Sequence, residues 1–455
     1  MKPIIASLLL CLLCTFSCKK NDPVPPVDPP ILNPNSEIAR TWAATTLFTV
    51  RYSFFNTPTY TSRSLGYMGL AMYESIINGD SSYASMGSQL NGLVLPMPQA
   101  GMKYQWELSL NAAQQTMLKY LYLNPGNAND LVYDTINATA ERILNQYSPG
   151  VSQETIDRSI QFGKAVADAI YAWSRTDGGE LAYTRNFDPS FVFPAGDSYW
   201  IPPIRGQSTS RFPLHPYWGS NRTFVKANSS LAVPPITTFS TVPGSAYYKL
   251  YKDVYDKDKV LTKEEREIAA WWGDDPSESV SPPGHSYYLV GLAIKNSNAG
   301  LMKAAEAYAK TGMAVADAFI NCWKVKTTYF NERPGSYVVK YIDPTWRQFW
   351  PEPPFPAFSS GHATQSGAVA TVLTDVFGSF LPITDDLHVG NRRIDDPRFL
   401  DLTYPARSFN SFWDAANECA YSRFLGGIHT KQDNDIGLAQ GTIIGQNVNA
   451  LKWKK

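Results

Sequence analysis

Phe355-Pro356-Ala357-Phe358-Ser359-Ser360-Gly361-His362 leads straight into Ala363–Phe377, a run of mostly small and apolar residues with no Pro and with Gly only at Gly367. The run predicts a helix entered through Ser-Gly-His. The first N–H groups of a helix have no intrahelical partner and carry partial positive charge, so such an entrance suits an anion. Ser360 adds a hydroxyl donor, Gly361 lets the backbone approach closely, and His362 titrates near neutral pH.

Helical patterning extends outward in both directions. Upstream, Glu37–Asn78 carries apolar residues at helical spacing with a break near Asn56-Thr57-Pro58, and Tyr104–Tyr122, Ala128–Gln146 and Gln153–Arg175 repeat the pattern. Thr262 and Glu265 have the spacing of a capping box at the start of Lys263–Trp272, and helix is expected again from Ser286 through Lys326. Downstream, Phe380–Phe409 reads as loop, Asn410–Leu425 as a helix stopped by Gly426-Gly427, and Asp433–Ala450 as the last helix. Gly437, Gly441 and Gly445 fall on one face of that helix, which predicts close backbone packing against a neighbour. No strand-like alternation is sustained, so the expected fold class is all-α.

Two stretches break the pattern. Residues 176–246 are rich in Pro and aromatic residues without period, as in Trp200-Ile201-Pro202-Pro203 and Phe212-Pro213-Leu214-His215-Pro216. Aromatic richness argues for an ordered cover over a site, since disordered tracts are poor in such residues. Asn331–Ala357 holds six aromatic residues and six Pro, too many breakers to predict a helix.

The chain has 455 residues, enough for a large core, and its 40 basic and 40 acidic residues leave no formal net charge. That balance argues against nucleic acid or an anionic membrane surface as the main partner. Lys2, the apolar run Ile4–Phe16 and Cys18 after Thr15-Phe16-Ser17 read as a targeting segment. It resembles a bacterial lipoprotein signal, residues 1–17, with Cys18 the lipidated residue and residues 18–36 a Pro-rich tether. That places the chain in the bacterial cell envelope, periplasmic or cell-surface, with membrane contact through the lipid alone. Of five Cys only Cys322 and Cys419 remain in the folded body, so a disulfide framework and a Cys-based metal cluster are excluded.

Chemistry concentrates in three segments. Lys326 and Arg333-Pro334 are separated by six residues; Ser360-Gly361-His362 follows; five residues separate Ser422-Arg423 from His429, and three more separate His429 from Asp433. Cations, imidazoles, a hydroxyl and a helix N-terminus make a donor set, free of first-rank carboxylates, for a doubly charged tetrahedral oxyanion. Asp433 stands one turn beyond His429, near enough to fix its tautomer. Surface ion pairs and core histidines are the bland alternative for the set, and a helix N-terminal carboxylate is the alternative for Asp433. His285, in Pro282-Pro283-Gly284-His285, lacks the accompanying hydroxyl and reads as a loop residue, while His215 and His388 carry no spacing argument.

The three segments resemble the signature of the superfamily that joins bacterial acid phosphatases, type 2 phosphatidic acid phosphatases and vanadium-dependent haloperoxidases. The one departure is Ser359, where that signature has Pro. The resemblance implies two related four-helix bundles, with residues 37–246 covering and buttressing a catalytic bundle at 247–455. It implies that Lys326, Arg333, Ser360, Gly361 and Arg423 bind the oxyanion, that His429 is the apical ligand or nucleophile, and that His362 is the opposing acid–base. Trp323 and Phe355 stand at offsets similar to halide-pocket aromatics of the soluble haloperoxidase branch, although both are equally plausible core residues. The expected cofactor is then vanadate and the partners are halide and peroxide. The alternatives are a cofactor-free phosphatase cleaving phosphate esters through His429, and a non-catalytic anion-binding surface protein.

Overall fold

The computed structural model describes residues 35–54, 56–123, 129–276 and 278–455. The signal segment, Cys18 and nearly all of the tether lie outside the described residues. Fourteen α-helices are found among the described residues. The first five are α1 (Glu37–Tyr52), α2 (Pro58–Glu74), α3 (Trp106–Tyr122), α4 (Asp130–Tyr147) and α5 (Gln153–Ser174). The expected break between α1 and α2 is a start signal: Thr57 caps α2 and Pro58 occupies its first turn, where no N–H is needed. The cover stretch contains the one-turn α6 (Lys226–Ser229), followed by α7 (Ala246–Asp258) and α8 (Lys263–Trp271). The capping box of Thr262 and Glu265 is formed in full.

The chain continues with α9 (Ser281–Ser297), α10 (Leu301–Tyr329), α11 (Pro334–Tyr341), α12 (Gly361–Phe377), α13 (Phe412–Leu425) and α14 (Lys431–Asn449). Several expectations need correction here. Helix α7 lies outside the helices expected from the sequence, and it buries Tyr247, Tyr251 and Val254 at helical spacing. Helix α9 begins at Ser281, so Pro282 and Pro283 fill a first turn rather than a loop, and His285 is helical and buried. Asn298, at φ 49°, ends α9 and separates it from α10. Pro334 opens α11 for the same first-turn reason, within a stretch read as irregular. Phe380–Phe409 contains a two-stranded antiparallel sheet, β1 (Ile383–Asp385) and β2 (Arg407–Phe409), too short for alternation to reveal.

Several helix pairs pack at backbone distance, α3 with α5 among them, where a Cβ on Gly163 would lie 2.0 Å from Ser109 O. A Cβ on Gly441 of α14 would lie 2.1 Å from the Thr364 carbonyl of α12, which gives the glycine ladder its partner. Between the two halves, a Cβ on Gly69 of α2 would lie 2.5 Å from Tyr308 O of α10. The halves therefore share one hydrophobic core, in which Trp42, Tyr67, Met68, Tyr308 and Trp323 are all buried. The two irregular stretches bind each other: Trp200 N donates to Phe330 O at 2.8 Å, Gln207 N to Glu352 O at 2.8 Å and Leu214 N to Pro354 O at 2.8 Å. The aromatic-rich segment is thus tied by its backbone to the stretch that carries Phe355. No helix among the described residues is long and apolar enough to cross a membrane.

Candidate active site

Five helix ends present the donor set. Lys326 sits in the last turn of α10, Arg333 is the residue before α11, and Ser360 caps α12 with its hydroxyl facing Ala363 N at 3.4 Å. Gly361 and His362 form the first turn of α12, Arg423 the last turn of α13, and His429 precedes the Thr430 cap of α14. Gly361, His362, Arg423 and His429 line one cavity of about 490 Å³, and Trp323 and Phe355 line it too. Their rings are in contact, with centroids 4.9 Å apart. Lys326, Arg333 and Ser360 lie in the layer behind this wall.

The cations are held by backbone rather than by acids. Lys326 Nζ donates to the carbonyls of Pro356, Ala357 and Ser359 at 2.7, 2.7 and 2.6 Å, which occupies all its protons. Arg333 donates through Nε to Phe355 O and through Nη1 to Ile428 O, each at 2.8 Å, and Nη1 stands 3.4 Å from His429 Nε2. Arg423 Nη1 donates to Trp272 O at 2.7 Å. These bonds tie down the loop in which Ser359 stands, as does Ser360 N donating to Asp433 O at 3.0 Å. The loop therefore has rigid anchors without a proline at that position.

Two buried polar atoms in the site have no protein partner, His362 Nε2 and Arg423 Nε. Buried polar groups are almost always paired, so two orphans on one cavity mark where a ligand supplies the missing bonds. Gly361 supports this reading, because a Cβ there would meet nothing nearer than Trp323 at 3.9 Å. The fold leaves room at Gly361 that a ligand can use.

The electrostatics follow from burial. His362 is held well below the usual imidazole range by desolvation and then by the Arg423 charge. His429 is held well below it by desolvation, then by Arg333, Lys326 and Arg423. Both rings are neutral at neutral pH, so each offers a lone pair. Burial, and next to it the Arg333 charge, push Lys326 down to about 7. Its three carbonyl acceptors nevertheless each need a proton, which only the ammonium form supplies, so Lys326 stays charged at neutral pH.

Asp433 does two jobs. Its Oδ2 lies 3.1 Å from His429 Nδ1 and accepts from Thr430 N at 3.0 Å, the latter closing a capping box. One carboxylate oxygen therefore faces His429 and closes the α14 cap at once. With Nδ1 donating to the carboxylate, Nε2 is the unprotonated nitrogen of His429 and faces Arg333 Nη1 at 3.4 Å.

The cavity also has features that its motifs do not announce. Asp274, Asp275 and Arg393 line it, so the wall is not free of carboxylates even though the oxyanion donors are. Asp275 accepts from Arg393 Nη1 at 2.8 Å and Gln207 Nε2 at 2.6 Å, and burial pushes it up to about 6. The sequence signal was Gly273-Asp274-Asp275-Pro276, two adjacent acids in a turn after a helix. His215 lies elsewhere, bonded to Thr59 Oγ1 and to Ala182 O at 3.0 Å. Cys322 and Cys419 are both buried free thiols.

Comparison with known proteins agrees with this architecture. A family model described as the VCPO second helical-bundle domain matches residues 306–453. The chain is 22% identical over 462 residues to the vanadium chloroperoxidase of Curvularia inaequalis, covering 83% of this chain and 74% of that protein. It is similar to a solved bacterial vanadium-dependent iodoperoxidase, with TM-score 0.77 and 29% identity, over 96% of this chain and 99% of the other. A holo-type bacterial vanadium-dependent chloroperoxidase shares the fold at TM-score 0.69 and 14% identity, covering 92% and 97% of the two chains.

Proposed function

Because the chain belongs to the superfamily that joins acid phosphatases with vanadium-dependent haloperoxidases, we propose that it oxidises halide with hydrogen peroxide at a vanadate held between Arg423, His362 and His429. The observation that carries this is the pair of orphaned buried atoms, His362 Nε2 and Arg423 Nε, on a cavity walled by Trp323 and Phe355. Vanadate, when bound, supplies a Lewis-acidic centre that activates peroxide. The residues at the cavity fit it: Arg423, a helix N-terminus and a neutral imidazole nitrogen, with the charges of Arg333 and Lys326 behind them.

The chain's own residues do the rest. Asp433 fixes the His429 tautomer so that Nε2 faces the site as a ligand. Arg333 and Arg423 place fixed positive charge beside the oxyanion, in a cavity where charge is poorly screened. Lys326 adds charge from the layer behind, and donates directly only by releasing one of its three carbonyls. His362, neutral at the outset, has an unpaired Nε2 that would hold a proton released from peroxide. Trp323 and Phe355 provide an aromatic, partly desolvated place for halide. Iodide is the halide to try first, being the easiest to oxidise and the substrate named for the 29%-identical structure.

The deciding experiment compares two activities of the folded body. Reconstituted with orthovanadate, it should form triiodide from iodide and peroxide, and it should not hydrolyse a chromogenic phosphate ester. Ester turnover without vanadate, and no halide oxidation with it, would replace this reading with a phosphatase acting through His429. Vanadate binding with neither activity would leave an anion-binding protein. We further propose lipid attachment at Cys18 in the bacterial envelope, on the strength of Lys2, Ile4–Phe16 and Cys18. Cys18→Ser should then move the protein from the membrane to the soluble fraction.

A further inference from the structure

Beside the oxyanion cavity, three buried side chains from three separate stretches meet with metal-ligating atoms. Asp274 comes from the turn after α8, His285 from α9, and His388 from the segment after β1. We propose that these three hold a divalent transition-metal ion with zinc-like preferences. One ligand atom from each lies within 4.8 Å of the others, and all three residues are buried. Asp274 Oδ2 stands 2.8 Å from His285 Nδ1, and Asp274 Oδ1 stands 2.8 Å from His388 Nε2. Two imidazoles and a carboxylate are a frequent ligand set for zinc, with a water in the fourth position.

The support behind the ligands is what separates this cluster from an ordinary buried ion pair. A metal-bound imidazole is oriented by a partner on its far nitrogen. His285 Nε2 stands 2.7 Å from Asp385 Oδ2, and that carboxylate is fixed by Trp271 Nε1 at 2.8 Å and Leu387 N at 3.1 Å. His388 Nδ1 faces the Asn391 Nδ2 donor at 3.1 Å, so binding an ion at Nε2 requires the Asn391 amide to turn its oxygen toward Nδ1. The rings are also packed in place: His285 stacks on Trp272 at 4.5 Å, and His388 meets Trp271 edge-on at 5.3 Å. A second cavity, of about 480 Å³, is lined by Asp274, Ser279, His388 and Asn391 and gives an ion a way in.

The ion would also act on its neighbourhood. It would pin Asp274, two residues after the Trp272 whose carbonyl anchors Arg423. Tightening that turn makes the site a structural clamp beside the oxyanion cavity, and the clamp does not depend on which reaction runs there.

The test uses the vanadate-free folded protein after chelator treatment, titrated with CoCl2 and then ZnCl2. One Co²⁺ per chain is expected, with a visible d–d band that Zn²⁺ displaces. His388→Ala should lose the band. Asp385→Asn should weaken Co²⁺ binding by about 10- to 100-fold, and His429→Ala should keep it. If the wild-type protein keeps its native far-UV spectrum and melting temperature yet takes up neither metal, the site does not exist and the cluster is an ion-pair network. A band lost in His429→Ala but kept in His388→Ala would place the ion in the oxyanion cavity and overturn the proposal as well.

Discussion

Asp433→Asn separates the charge of the carboxylate from its geometry, because an amide oxygen can take the place of Oδ2. From that position it still accepts from Thr430 N and still faces His429 Nδ1, so the cap and the tautomer both survive. Only the negative charge is lost. The cost of that charge follows from the raised acidity constant: burial lifts Asp433 from 3.8 to about 6. At about 1.4 kcal/mol per unit, keeping it ionised costs the vanadate-free protein about 3 kcal/mol well above pH 6. The sign follows from linkage. A carboxyl whose folded value is raised contributes stability that is complete below the unfolded value and is lost as pH rises through about 6. Urea unfolding should therefore find Asp433→Asn more stable than the wild type at pH 8, by up to that amount, with the gap shrinking toward pH 5.

Vanadate binding should change in the opposite direction. The carboxylate raises the basicity of the nitrogen it orients, and removing such a partner typically costs about 10- to 100-fold in affinity, roughly 1.4–2.7 kcal/mol. Titration at pH 8, followed by tryptophan fluorescence because Trp323 lines the cavity, should show that loss. Below pH 6 the wild type gains the proton itself, and the two proteins should converge. A variant that gains stability and loses affinity identifies a charge kept for function. Equal vanadate affinity at pH 8 would refute the role given to Asp433. A stability loss of more than about 1 kcal/mol there would show that the ionised carboxylate stabilises the fold, against the sign worked from its burial.

His429→Ala should abolish vanadate binding while leaving the far-UV circular dichroism spectrum unchanged; retained tight binding through another nitrogen would show the wrong imidazole has been chosen. In the vanadate-free protein His362 should stay neutral well below pH 6.5, since burial and Arg423 both oppose its charging, and a bound oxyanion should move its titration upward; nitrogen chemical shifts followed through a pH series would show both. In the N-terminal half, Asp177→Ala would strand Arg63, whose Nε lies 2.6 Å from Asp177 Oδ2 with both side chains buried, and should cost about 3–5 kcal/mol in urea unfolding. A loss below about 1 kcal/mol would mean that water reaches this pair.

The donor set was legible because anion binding demands residue types that are rare in helical cores and fixes their spacing on helix ends. Lys326, Arg333, Ser360, His362, Arg423 and His429 each sit at a helix terminus, where sequence signals are strongest. Their use was less legible. Nothing in Lys326's position says that its three protons go to carbonyls, because backbone acceptors leave no mark on residue identity. His285 was misplaced because Pro282-Pro283-Gly284 has the composition of a turn, whereas the first turn of a helix accommodates the same residues without losing a hydrogen bond. Asp274, Asp385 and His388 come together only through tertiary contact, and no local pattern brings residues so far apart to one point.

The same distinction explains why a half of the chain with none of the oxyanion donors belongs to the site. Helix α10 carries both Trp323 and Lys326, and its position is set by α2, which approaches to the point where a Cβ on Gly69 would strike Tyr308 O at 2.5 Å. The cover fixes α10 from another side: Asp317 accepts from Phe224 N at 2.7 Å and Val225 N at 3.0 Å, and Trp323 Nε1 donates to Leu214 O at 3.1 Å. A site whose cations are held by carbonyls depends on backbone position more than one built on ion pairs does, since a carbonyl cannot follow a displaced ammonium as a flexible carboxylate can. The N-terminal helices and the aromatic cover therefore supply the rigidity that the donors on α10, α12 and α13 need, and they do so through contacts that depend on small residues and backbone atoms rather than on any catalytic motif.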